Sequence, residues 1–244
     1  MVEICCGSYE DALNAYRGGA ERVELNSALH LGGLTPTAAC LSLVLRDTKV
    51  KVICMVRPRG AGFCYTPAEK EQMFAEAKEL LEQGSHGIAF GFLTENAEID
   101  VQETEKMVKL IHQYGGEAVY HRAFDCVSNP YEAMETLIRL GVDRVLTSGL
   151  SEKAMGGKEL IRTLQQRYGS QIELLAGSGV NASNARELMD YTGISQVHSS
   201  CKDWQTDPTT SGEQVSYSFA PAPHESCYDV VSQELVAKLK EVLA

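Results

Sequence analysis

The chain has 244 residues and a formal net charge of −11, an acidic balance that argues against a nucleic-acid partner while leaving room for a local basic pocket. Apolar residues make up 44% and charged residues 23%, as in a well-packed globular chain large enough to fold without disulfides or metal. The start, MVEICCGSYED, has no basic stretch or signal-length apolar run, and no segment nears the ~18 apolar residues of a membrane helix, so a cytoplasmic protein is expected. Its eight cysteines then read as thiols, and none forms a CxxC pair that would suggest structural zinc.

VEICC opens the chain as a strand. Its apolar Val2 and Ile4 should face out, turning Glu3 and Cys5 inward. SYEDALNAYRGG follows as a helix from Ser8. RVELN repeats the alternation, with Val23 and Leu25 out and Glu24 and Asn26 in. TPTAACLSLVLRD is a helix starting at Thr35 and Pro36. VICMVRPRG places Val52, Cys54 and Val56 outside and Met55 and Arg57 inside. TPAEKEQMFAEAKELLEQG has Thr66 as N-cap, Pro67 behind it and Glu69 at the third position, a capping box. NPYEAMETLIRLG uses Asn129, Pro130 and Glu132 in the same way.

Four stretches share a plan of glycine, a short polar run and a strand: GAERVEL from Gly19, GSHGIAF from Gly84, GVDRVLT from Gly141 and GISQVHS from Gly193. Each glycine follows an amphipathic segment, where a residue with positive φ ends a helix. With EAVYH and IELLAG the count reaches eight strands alternating with helices. That pattern predicts a parallel sheet closed as a (β/α)₈ barrel. An open doubly wound sheet would need a glycine-rich dinucleotide loop after the first strand, which CGSYED is not. Residues 1–244 read as one domain, with 202–228 an irregular excursion and 229–243 the last helix.

In a barrel the strand C-termini form the working face. There YHRAFD supplies His121, Arg122 and Asp125, and His121 with Asp125 reads as a base and its orienting acid. Glu3 and Glu24 on adjacent strands, with Arg57 on the next, predict an interior ion-pair network, which is either functional or simply core structure. Loop RPRGAGFCYTP brings Arg57 and Arg59 beside Phe63 and Tyr65 as a lid. Gly177, Ser178 and Gly179, with Ser199, Ser200 and Lys202, read as a phosphate cradle, although glycines also serve tight turns. His198 is the second candidate base. Cys5 faces inward, where Cys201 or Met55 would be a second soft ligand for Cu(I); packing is the bland reading of every cysteine.

The motifs VEICCGS, GGAERVELNSALHLGGLTPT, VRPRGAGFCYT, YHRAFD, RVLTSG, GSGV and VHSS resemble the CutC copper-homeostasis family from Met1 to about Lys202. The resemblance implies a TIM barrel, a role in copper homeostasis, Cu(I) as ligand and a homo-oligomer. It implies Cu(I) bound by cysteines near the ends of strands 1 and 2. Cys5 matches the first position, and Asn26 stands at the second. Glu3, Glu24, Arg57, Arg59, His121, Arg122, Asp125 and Ser148 also match the family pattern. Two functions follow as expectations. One is a Cu(I)-binding protein. The other is an enzyme doing acid–base chemistry on a small anionic or phosphorylated metabolite, with Glu3, Glu24, His121 and Asp125 as catalytic candidates. A barrel serving mainly protein interaction is the third.

Overall fold

The computed structural model describes residues 1–244. Eight parallel strands close into a barrel in sequence order. They are β1 (Val2–Cys6), β2 (Arg22–Leu25), β3 (Lys51–Met55), β4 (Gly87–Phe90), β5 (Glu117–Tyr120), β6 (Arg144–Thr147), β7 (Glu173–Ala176) and β8 (Val197–Ser199). Between them run α1 (Tyr9–Arg17), α2 (Ala38–Asp47), α3 (Pro67–Glu82), α4 (Val101–Gln113), α5 (Pro130–Arg139), α6 (Lys158–Tyr168) and α7 (Ala185–Thr192). The last helix, α8 (Gln233–Leu243), packs against α1 and α7. No helix is long and apolar enough to cross a membrane.

Local chemistry sets the boundaries. Ser8, Thr66 and Asn129 each accept a backbone N–H in the first turn of their helices, and Thr66 with Glu69 forms the complete capping box. Gly19, Gly84, Gly141 and Gly193 all have positive φ, between 78° and 97°, which frees each helix end to turn into the next strand. The start of α2 differs from expectation: Thr37, not Thr35, caps it by accepting from Cys40. Thr35 instead donates to Glu76 at 2.6 Å and ties α3 to the barrel top.

Strand alternation sorts the interior. Val2, Ile4, Val23, Leu25, Val52, Cys54 and Val56 belong to the large core under the helices. Ile53, Met55, Ala89 and Val119 form a small separate cluster inside the barrel. Below that cluster the lumen is ionic. Arg22 Nε donates to Glu3 at 2.5 Å and its Nη2 to Gln196 at 2.7 Å; Gln196 reaches Glu173, which binds Arg144, which binds Glu117. The expected network therefore exists, but its cations are Arg22 and Arg144 rather than Arg57. Arg22 shares the inward parity of Glu24, and its guanidinium lies beside Glu3 on the neighbouring strand.

Barrel closure is uneven. Strands β1 and β2 pair over four residues, whereas β7 and β8 share the single pair Ala176 and Val197. The 202–228 segment is not wholly irregular. Its ends form an antiparallel ribbon of β9 (Lys202–Thr206) and β10 (Cys227–Val231), and this pairing delays the last helix to Gln233. Phe219, within the excursion, packs against His30 after β2 with ring centroids 5.1 Å apart and the rings tilted by 41°, so the excursion reaches the rim of the barrel mouth.

Candidate functional site

A cavity of about 340 Å³ opens at the C-terminal mouth. Its floor is Cys5, Glu24 and Met55 with His198; Arg57, Phe63, His121 and Arg122 form one wall, and Ser178, Gly179, Ser199 and Ser200 the other. They come from the ends of six strands, β1, β2, β3, β5, β7 and β8, and the loops after them, as barrel topology requires.

Three potential ligand atoms cluster at the floor: those of Cys5, Glu24 and His198 lie within 4.8 Å of one another, the one such group in the chain. Cys5 Sγ donates to Glu24 Oε2 at 3.7 Å, and Asn26 Nδ2 donates to the same oxygen at 3.0 Å and to Cys5 Sγ at 3.6 Å. His198 Nδ1 lies 2.8 Å from Glu3 Oε1, and its Nε2 3.9 Å from Glu24 Oε2. Burial opposes the imidazolium, but the Glu24 charge, the Cys5 and Glu3 hydrogen bonds together raise the His198 pKa well above its usual range. Burial likewise opposes Glu3 ionisation, yet the His198 hydrogen bond and the Arg22 charge hold it at about 2. At Glu24 burial outweighs the His198 charge and pushes its carboxyl upward. Burial pushes the Cys5 thiol to about 12. The floor thus holds a neutral thiol and a proton-loving imidazole around a carboxyl group whose ionisation burial opposes.

His121 is 2% exposed. Its Nδ1 accepts the Ala123 N–H at 3.1 Å, which places the ring proton on Nε2, and that atom has no partner. Burial and the Arg57 charge lower its pKa to about 3. His121 is therefore a neutral donor beside the cavity.

The expected His121–Asp125 pair does not form. The chain after β5 makes a 3₁₀ turn, Arg122–Cys126, that carries Asp125 outward. Asp125 accepts from Arg122 Nε at 2.7 Å, Thr147 Oγ1 at 2.6 Å, Ser148 N at 3.0 Å and Leu150 N at 3.2 Å, with the Ser148 hydroxyl at 2.8 Å. Asp125 and Ser148 knot the loops after β5 and β6 rather than facing a ligand. Arg59 is also outside the cavity: it binds Glu69 at 2.5 Å and the carbonyls of Gly60, Gly62 and Cys64. Arg57 lines the cavity, but its Nη atoms hold Leu31, Gly33 and Ala61 carbonyls, leaving Nε free. Gly177 serves packing, since a Cβ there would meet Leu146 Cδ1 at 2.7 Å.

Cys201 does not join Cys5. It lies in the outer core, with its Sγ 3.5 Å from Ser199 Oγ. Cys201, two residues past the end of β8, has φ 40°, which takes its thiol away from the lumen. Lys202 sits over Trp204, outside the cavity. Met55 remains as the second soft atom in the cavity. Arg22, Arg144, Gln196 and Phe63 complete the site and its support; strand parity carried the signal for the two arginines.

The CutC family model matches residues 1–203. A CutC protein of Treponema denticola is 39% identical over 239 residues, covering 98% of this chain and 96% of that protein. The human copper homeostasis protein cutC homolog is 37% identical over 202 residues, covering 83% of this chain and 73% of the relative. A crystal structure of CutC from Streptococcus agalactiae superposes with a TM-score of 0.77 at 29% identity, over 82% of this chain and 98% of that one. With the barrel, the motif-bearing strand ends and these relatives in agreement, the chain belongs to the CutC family of copper homeostasis proteins.

Proposed function

We propose that this CutC-family protein serves copper homeostasis by binding one Cu(I) ion at the floor of the barrel mouth, between Cys5 and His198. The observation that carries this reading is the Cys5, Glu24 and His198 cluster within the cavity. The donor chemistry fits: thiolate and imidazole suit copper, and the Met55 thioether lines the same cavity. Glu24, a hard oxygen donor, is better suited to taking the Cys5 proton, since the two already share a hydrogen bond. A reducing cytoplasm, where thiols stay free, is the compartment this chemistry needs. The family resemblance supports a homo-oligomer, which light scattering on the purified chain would measure.

Anaerobic Cu(I) titration against a competing chelator tests the proposal. Tight one-to-one binding by the wild type, lost in Cys5→Ser, supports it. Weak binding that Cys5→Ser leaves unchanged sinks it.

A second reading rests on the cavity, which at about 340 Å³ is of small-molecule size. Here Glu24 and His198 are the proton carriers of an enzyme acting on a small anionic metabolite, their buried and opposite charges setting them apart as acid and base. Thermal-shift screening of metal-free protein against metabolite anions tests it, and the absence of any stabilising compound counts against it.

A further inference from the structure

We infer that the β7–β8 wall of the mouth binds a phosphate group, with the backbone amides of Ser178, Gly179 and Ser200 as its donors. This deepens the second reading by naming the ligand's charged group; it stands without the copper reading.

The loop after β7 is oriented by its carbonyls. Ser178 O accepts from Ala154 N at 3.0 Å, Gly179 O from Asn184 Nδ2 at 2.9 Å, and Val180 O from Ser199 Oγ at 2.7 Å. The Ser178 hydroxyl is spent on Glu152 O at 2.7 Å. By contrast the amides of Ser178, Gly179 and Ser200 donate to no protein atom, and all three residues line the cavity. Ser178, a non-glycine residue, is held at φ 78° and followed by Gly179 at 71°, a strained geometry that anchors the loop in this one orientation. Adjacent free N–H groups in such a turn make a concave anion site.

A second observation points to the same ligand. His121 Nε2–H is a buried donor without a partner, on the opposite wall. The lining also carries Arg57, whose guanidinium has no carboxylate partner and whose Nε is free, and Arg122, which is paired with Asp125. An arginine without an acidic partner in the pocket of a chain of net charge −11 is the complement of an anion. Lys153 at the rim adds to it: its stem packs beside Gly179. Several donors from two walls, with Arg57 and Lys153 beside them, match the acceptors and double charge of phosphate better than a single carboxylate. The cavity volume leaves space beyond the phosphate, which favours a small phosphate monoester over the free ion.

Isothermal titration of the full-length, metal-free protein at low ionic strength provides the test, with inorganic phosphate and glycerol 3-phosphate as probes. One-to-one binding is expected, weakened at least about tenfold in Ser200→Asp, which sets a carboxylate at an exposed position beside the amides, and several-fold in Lys153→Met at the rim. Circular dichroism confirms that both variants fold. Tighter binding of the ester assigns the site to a monoester; equal binding assigns it to free phosphate. No saturable heat with either probe, or equal affinity in Ser200→Asp, overturns the inference. Because no turnover or copper enters the measurement, its failure is distinct from failure of either functional reading.

Discussion

His198 Nδ1 lies 2.8 Å from Glu3 Oε1, and through this contact the structural half of the lumen meets the chemical half. Glu3 is anchored from below by Arg22, while His198 faces Glu24 and Cys5 above. The orientation of the imidazole is thus set by the same carboxylate that neutralises the buried arginine.

Replacing Glu3 with glutamine should strand Arg22 and free the His198 ring. Loss of one partner from a buried pair costs about 3–5 kcal/mol, read by urea denaturation at pH 7. The sign with pH is defined. Glu3 has its pKa lowered to about 2 from 4.5, so its stabilisation is complete above the ordinary value and fades as pH falls from 4.5 towards 2. His198 is raised, so its share is complete below its ordinary 6.5 and is lost only as pH climbs through the raised value. Glu3→Gln should flatten the acid limb of the stability curve.

Asn26→Cys should place a second sulfur beside Cys5, because Asn26 Nδ2 already lies 3.6 Å from Cys5 Sγ. Two soft ligands favour Cu(I), so anaerobic competition should show affinity raised by at least about tenfold over wild type, or about 1.4 kcal/mol. No gain would argue that the floor geometry does not suit the ion.

Asp125→Asn should unlock the loops after β5 and β6. The carboxylate accepts from Arg122, Thr147, Ser148 and Leu150, and the amide cannot satisfy them all. A stability loss of about 2–3 kcal/mol follows from breaking a charged network, with faster hydrogen exchange at Ser148 and Leu150. A variant with unaltered exchange there would contradict this structural role.

His121 stays neutral down to about pH 3, so it should not impose a titration on anion affinity between pH 5.5 and 8. Binding of glycerol 3-phosphate over that range should instead rise with its dianion fraction, the second pKa of a monoester being about 6. Titration heats at four pH values would show this, and an affinity that falls towards pH 8 would contradict it.

The barrel was legible because alternation is strict in VEICC and RVELN and because glycines with positive φ recur before the strands of each repeat. Arg22 escaped notice as the partner of Glu3 although its parity matches Glu24; sequence spacing gives no distance across neighbouring strands. His121 and Asp125 looked paired because both fall in YHRAFD, at the end of β5 on the working face. The 3₁₀ turn between them sends them to different sides. Cys201 looked inward until the φ of 40° at that residue turned it out. The β9–β10 ribbon was hidden because its strands are joined by twenty residues without a tight-turn signal.

The lone residue pair between β7 and β8 makes that joint the weakest stitch in the barrel wall. It also lies directly beneath the free amides of Ser178 and Ser200, one on each side of the joint. An anion held by both would clasp the two edges together, so occupancy of the mouth would tighten the whole cylinder. The Ala176 amide, which bonds to Gln196 O at 3.4 Å across this joint, should then exchange more slowly on loading, which turns a gap in the hydrogen-bond ladder into a gauge of occupancy.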